Sequence, residues 1–183
     1  MGADNALFFL INTLFELYMG ALLLRVLLQW VKADFYNPLS QVVWKLTNPP
    51  VQPLRKLVPR YRNIDTATLL VLLMVACVYI ALVGWMFSVG VAPLALIWFA
   101  ALKCVALTIG LYTLSLFAQA ILSWMGPGGN NPAASILWSL NEPLLKPIRR
   151  FIPTMAGMDF SPLVVILALQ VLSRLVPLPL LFR

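Results

Sequence analysis

The sequence predicts an all-α membrane protein with four transmembrane helices, arranged as two parallel two-helix repeats that each carry a cytoplasmic amphipathic helical loop. Three observations predict it. The 183 residues are 62% hydrophobic and 10% charged, with mean hydropathy +0.92, where a soluble domain is about 45–50% apolar and about 25% charged. The apolar residues gather into runs near the roughly 20 residues that a spanning helix needs. One ungapped shift of 94 residues, taking Trp30 to Trp124, lays the second half of the chain on the first.

The first apolar run is Leu7 to Trp30, interrupted by Asn12, Glu16, Arg25 and Gln29. A polar, proline-rich loop follows from Lys32 to Asp65. In it, Asn37 is a good N-cap and Pro38 a good first helical residue, since proline gives up no needed donor there. Leu39, Val42, Val43 and Leu46 then recur at i, i+3, i+4, i+7, the spacing of a short amphipathic helix. A second helical piece sets Leu54, Leu57 and Val58 against Arg55 and Lys56, with Pro59 expected to end it.

The second span is expected over Leu69 to Phe87, a short turn over Ser88 to Pro93, and the third span from there to Met125. The second loop, Gly126 to Pro162, repeats the plan of the first. Asn131-Pro132 open a helix with Ala133, Ile136, Leu137 and Leu140 on one face. A second piece turns Leu144, Leu145, Ile148, Phe151 and Ile152 away from Lys146, Arg149 and Arg150, and is expected to stop at Pro153. The last span is expected over Leu163 to Phe182.

The shift that pairs the tryptophans also pairs Tyr18 with Tyr112, Trp44 with Trp138, Pro49 with Pro143 and Pro53 with Pro147. It pairs Arg55 with Arg149, Pro59 with Pro153 and Asp65 with Asp159. Apolar periodicity alone does not place Trp, Pro, Arg and Asp in one register, so the chain reads as a tandem duplication. The repeats are 1–93 and 94–183 within one membrane domain. Two spans per repeat give both repeats the same orientation, unlike the inverted repeats of many transporters.

The loops hold Lys32, Lys45, Arg55, Lys56, Arg60 and Arg62, then Lys146, Arg149 and Arg150. The other side offers Arg183, with Lys103 undecided. The positive-inside rule therefore puts both loops in the cytoplasm and both termini in the periplasm. It also accounts for the net charge of +7 without nucleic acid, for which no recognition motif is present. The first cation, Arg25, comes after the apolar run has begun, so a secretory signal is not expected. Ala6 rules out myristoylation at Gly2.

Histidine is absent, which removes His-ligated zinc, bis-His haem and His-dependent nucleophilic catalysis. Cys77 and Cys104 lie in apolar runs without C-x-x-C spacing and read as packed thiols. Gly126, Gly128 and Gly129 follow no strand and precede no Lys-Ser/Thr, so they make no phosphate loop. No catalytic residue, metal or cofactor is expected.

Four cations at matched positions, Arg55, Lys56, Arg149 and Arg150, are the candidates for binding anionic phospholipid or a partner. Basic-backed, apolar-faced helices beside a membrane suit an anionic surface. Asp65 and Asp159 each follow the loop arginine by ten residues. They read as structural pairs that pin the loops, or as the anion within a lipid site. Glu16, Lys103 and Arg174 are the intramembrane charges, which are costly and so default to functional candidates. Glu16 is near mid-depth, about nine residues or ~14 Å below the outer end of its span. A carboxylate there must be paired, wet or protonated. Lys103 and Arg174 both lie near mid-depth in their own spans. The repeat register objects to Lys103, which matches Phe9, but the turn at Ser88 to Pro93 is too short to hide a further segment and favours it. A Glu16–cation pair locking the repeats together and a protonatable site in a transport path are both open.

The stretches Asp34-Phe35-Tyr36-Asn37-Pro38 and Pro53-Leu54-Arg55-Lys56-Leu57-Val58-Pro59 resemble the YggT family of small bacterial membrane proteins. So do Glu142-Pro143-Leu144-Leu145-Lys146-Pro147-Ile148-Arg149-Arg150 and Met158-Asp159-Phe160-Ser161-Pro162. The likeness covers both repeats. It implies a multi-pass bacterial inner-membrane protein with no established catalytic residues. Family members have been connected with osmotic stress tolerance, with cell division and membrane or nucleoid organisation, and in plastids with cofactor assembly on cytochrome b6. Repeat one departs from the pattern, having Asp65-Thr66-Ala67-Thr68 where repeat two has Asp159-Phe160-Ser161-Pro162.

Two functions are expected on these grounds. The first is a non-enzymatic assembly or membrane-organising factor, linked to stress tolerance or cell division, with a membrane-protein partner or a second copy of itself. The second is an oligomeric ion or solute conduit, or a subunit of one, in osmotic homeostasis.

Overall fold

The structure, a computed structural model, describes residues 2–56, 58–59, 65–124, 131–151 and 159–182. Leu57, Arg60, Arg62, Met125, Gly126, Gly128, Gly129, Ile152, Pro153, Met158 and Arg183, all used in the sequence reading, lie outside the described residues. The described chain is α1 (Gly2–Trp30), α2 (Pro38–Leu54), α3 (Thr66–Met86), α4 (Pro93–Trp124), α5 (Pro132–Arg149) and α6 (Ser161–Leu175), followed by a 3₁₀ turn at Leu180–Phe182. No strand occurs among the described residues.

Three helices are long and apolar enough to cross a bilayer, over Ala6–Trp30, Thr66–Met86 and Pro93–Ser123. α1 and α3 end alike. After α1, the Ala33 N–H donates to the Leu28 carbonyl at 2.9 Å and the Lys32 N–H to the Gln29 carbonyl at 3.2 Å. After α3, Val89 donates to Gly84 at 2.8 Å and Ser88 to Trp85 at 3.1 Å. This pair of bonds closes a helix through one left-handed residue, usually glycine. Here the left-handed residues are Lys32, φ 55°, and Ser88, φ 54°. Gly84 is needed for the second turn, because a Cβ there would meet Val89 O and Val91 Cγ2 at 3.1 Å.

The main core lies among α1, α3 and α4, where Met19, Leu22, Ala76, Tyr79, Ile80, Val83 and Ala100 are buried together with Leu178 and Phe182 of the tail. α3 contributes most to it, because it packs against both α1 and α4. A smaller cluster joins Leu116 of α4, Leu145 of α5 and Val165 of α6.

The segment expected to be the fourth span falls short of a spanning helix. The run read as Leu163 to Phe182 is helical only over Ser161–Leu175, 15 residues, or ~22 Å at 1.5 Å per residue. Pro177 and Pro179 stand where the repeat shift has Val83 and Trp85. The residue before a proline is driven out of the α region, and Val176 accordingly adopts an extended conformation at φ −68°, ψ 115°. The tail folds onto the bundle: Phe182 packs on Phe99, seven residues into α4, with ring centroids 5.6 Å apart.

The loop helices also differ. Two pieces are expected in each loop, yet α2 and α5 run unbroken through Pro49, Pro50 and Pro53 and through Pro143 and Pro147. Pro49, Pro53, Pro143 and Pro147 are exposed, so the backbone bonds they remove lie at the surface of the helix rather than against the core. α2 stops at Leu54, well before Pro59. Both helices start as expected: Asn37 Oδ1 accepts from the Leu39 N–H and Asn131 Oδ1 from the Ala133 N–H, each at 3.0 Å. Asn37 does more, because its Nδ2 donates to the Pro132 carbonyl at 2.7 Å and to Ser135 Oγ at 3.0 Å. The two loop helices thus meet at their N-termini.

Candidate functional site

The end of α1 nearest the loops carries a buried charge network. Arg25 and Asp65 are 3% and 2% exposed. Arg25 Nη1 donates to Thr47 Oγ1 of α2 at 2.9 Å, and its Nη2 lies 3.6 Å from Asp65 Oδ2. Asp65 Oδ2 also accepts from Arg55 Nε at 2.9 Å, from Arg55 Nη2, and from Thr68 Oγ1 at 3.0 Å. Burial works to raise the Asp65 carboxyl, but the hydrogen bonds from Arg55 and Thr68 and the charges of Arg55 and Arg25 outweigh it and hold it below the usual carboxylate range. One carboxylate therefore ties the end of α1, the end of α2 and the start of α3.

Beside this network is a cavity of about 430 Å³, lined by Arg25 and Gln29 of α1, Lys32 and Phe35 of the turn, Ser40 and Trp44 of α2, and Arg55 and Asp65. Its volume is within the roughly 300–1,000 Å³ of small-ligand pockets. Three cations face it against one carboxylate. Ser40 Oγ, Gln29 Oε1 and Asp65 Oδ1 are buried without a hydrogen bond, although buried polar atoms nearly always have a partner. Phe35 and Trp44 stack edge to face at 6.1 Å on one wall.

Repeat two keeps the frame and changes the chemistry. Arg25 and Thr47 correspond to Gln119 and Asn141. Asn141 Nδ2 donates to Gln119 Oε1 at 2.8 Å, and Asn141 Oδ1 accepts from Ser115 Oγ at 2.6 Å. The α4–α5 contact is therefore neutral where the α1–α2 contact is charged. Arg149 Nε donates to Asp159 Oδ2 at 2.8 Å and Nη1 to Glu142 Oε2 at 2.9 Å, with the guanidinium 5.3 Å from the Trp138 ring centre. Asp159 is lowered despite burial, through hydrogen bonds from Ser161 and Arg149 and the Arg149 charge.

The four cations singled out for lipid or partner binding thus divide. Arg55 and Arg149 are half-buried and engaged with carboxylates, whereas Lys56 and Arg150 are exposed. Among the charges expected to lie within the membrane, Lys103 is 2% exposed and its Nζ donates to Glu16 Oε1 at 2.6 Å. The same ammonium lies 4.9 Å from the Tyr79 ring centre, and Tyr79 Oη donates to Asn12 Oδ1 at 2.6 Å. This cluster joins α1, α3 and α4, and hence the two repeats. Arg174 is exposed in the last turn of α6, so the cation beside Glu16 is Lys103.

A family model for CCB3/YggT matches residues 4–86 and again 95–181. The chain belongs to the CCB3/YggT family. It is 44% identical over 170 residues to the Escherichia coli (strain K12) protein called "Uncharacterized protein YggT", a match spanning 92% of this chain and 88% of that one. It is 40% identical over 169 residues to a Vibrio alginolyticus protein (91% and 90% of the two chains). A Haemophilus influenzae protein is 40% identical over 172 residues (94% and 91%). No solved structure matches the chain.

Sequence reasoning passed over three residues of this family member's site. Arg25 reads as an arginine snorkelling from the end of a span, but it is the buried hub of the charge network. Lys32 reads as one positive-inside charge among several, and Ser40 as a polar residue on an amphipathic helix. A signal for all three is in the repeat register: positions 119, 126 and 134 are Gln, Gly and Ala, so the halves diverge where the cavity is lined.

Proposed function

We propose that this CCB3/YggT-family chain is a non-enzymatic assembly or membrane-organising factor of a bacterial inner membrane. It would offer a basic, lipid-contacting face to anionic phospholipid and to a membrane-protein partner. Both basic loops face the cytoplasm in this reading, with α6 and its tail making a fourth crossing and both termini periplasmic. The link to stress tolerance or cell division rests on the family resemblance.

The observation that carries the reading is how α2 divides its faces. Ser40, Thr47 and Val51 are buried against the bundle. Leu39, Val42 and Leu46 are exposed at 44%, 60% and 56%, roughly a third of a turn away. Exposed Lys45 and Gln52 occupy a third face. A helix that hides polar side chains and shows leucine and valine outward is unsuited to water and suited to a bilayer interface. α5 differs, since it buries Ile136 and Leu140.

The test is spin-label accessibility on the full-length protein in anionic vesicles, with Cys77 and Cys104 first replaced by Ala. A label at Val42 or Leu46 is expected to be relaxed by oxygen, and one at Lys45 or Gln52 by a water-soluble nickel complex. Equal exposure of all four to nickel refutes the interfacial placement.

One observation favours the conduit as a second reading. The Glu16 side chain, paired as it is, keeps 36% of its surface exposed, which leaves a titratable group reachable from outside the bundle.

A further inference from the structure

We propose that the cavity between α1 and α2 is a binding site for one glycerophosphate group, that is, a phosphate anion carrying hydroxyl donors. The charges call for an anion, because Lys32 and Arg55 line the cavity with Arg25 beside them, against the single carboxylate of Asp65 in its lining. Guanidinium and ammonium groups are the usual partners of phosphate. The unsatisfied atoms call for more than phosphate. Ser40, 8% exposed, has a hydroxyl to give, whereas Gln29 Oε1 and Asp65 Oδ1 are acceptors without a donor. The phosphate of a diester satisfies the first and, having no O–H, leaves the other two, while the glycerol hydroxyls supply what they lack. Phe35 is exposed at the wall, and the lipid-facing side of α2 continues from the same helix that supplies Ser40.

The backbone gives independent support. Lys32 has φ 55°, a left-handed conformation that strains a residue with a Cβ and that glycine adopts freely. Repeat two has Gly126 at the matching position. Holding a lysine where the turn prefers glycine makes sense when its ammonium is needed, and non-glycine residues in such conformations cluster at functional sites. Repeat two also has Gln119 for Arg25 and Ala134 for Ser40, which removes the charge excess and the free hydroxyl. The matched positions of repeat two therefore do not rebuild the site.

The phosphate has two possible sources, the headgroup of phosphatidylglycerol or soluble glycerol phosphate. The site rests on the lipid-contacting reading of α2 only for that choice. Failure of that reading shows as nickel-accessible labels at Val42 and Leu46, whereas failure of the site shows in binding alone. The full-length protein in detergent is titrated with phosphatidylglycerol, phosphatidylcholine, sn-glycerol 3-phosphate and inorganic phosphate, and bound molecules are counted by native mass spectrometry. One phosphatidylglycerol per chain is expected, with phosphatidylcholine at least tenfold weaker. Lys32→Gly is expected to weaken that binding about tenfold with an unchanged or higher Tm, because glycine suits the turn. Ser40→Ala is expected to weaken it about threefold. Glycerol phosphate binding at one per chain, competing with the lipid and lost in Lys32→Gly, supports the site with a soluble ligand. Binding of neither, or phosphatidylglycerol binding that survives both Lys32→Gly and Ser40→Ala, overturns the proposal.

Discussion

Glu16 and Lys103 come from different repeats and meet without any counterpart in the repeat pattern, since the shift puts Gly110 opposite Glu16 and Phe9 opposite Lys103. Such a pair is chosen for what it joins. Removing one member leaves a charge in an apolar bundle, at about 3–5 kcal/mol, while replacing both with apolar or neutral groups is often close to neutral. Glu16→Gln and Lys103→Met are each expected to lower the Tm in detergent, and the double variant to recover most of the loss. Additive losses in that cycle would mean the pair contributes no coupling. Much of this pair is legible in sequence, because a carboxylate at mid-span demands a partner and few cations are available. The hub at Arg25 is not. Nothing in a linear sequence shows that α2 folds back to put Thr47 beside its guanidinium, or that the ten-residue Arg55–Asp65 pairing has a third member.

At the scale of elements, the starts of α2 and α5 are read correctly from Asn-Pro because a cap is a local interaction. Their continuation through internal prolines is not readable, because it depends on which side of the helix faces outward. The shortened α6 is visible in Pro177 and Pro179, but hydropathy overrides it, since Leu178, Leu180, Leu181 and Phe182 keep the apolar count high. The two caps separate local from tertiary roles. Asn131→Ala removes a cap alone and is expected to cost ~1 kcal/mol. Asn37→Ala removes the same cap and also the bonds to Pro132 and Ser135 across the repeats, and is expected to cost ~2–3 kcal/mol. Paired thermal or denaturant melts of the two variants measure the difference, and equal losses would show that the inter-repeat bonds do not contribute.

Across the whole molecule, duplication explains the architecture and divergence explains the function proposed. Both repeats keep the Arg–Asp closure of the loop and the contact between the long helix and its loop helix. Among the described residues, the first repeat has the charged version, with its cavity and the outward apolar face of α2, and the second has a neutral contact in its place. α3 fills the cleft between α1 and α4, while α6, cut short, packs on α4 and α5 and shows most of its surface outward. In the function proposed, the protein is a non-conducting scaffold in which Glu16 and Lys103 lock the repeats together. Ion flux across liposomes containing the purified protein separates a scaffold from a conduit. Potassium and proton leak no greater than in protein-free vesicles is expected, both for the native chain and for Glu16→Gln. A leak that the native protein supports and Glu16→Gln abolishes would refute the scaffold and make the same carboxylate part of a conduction path.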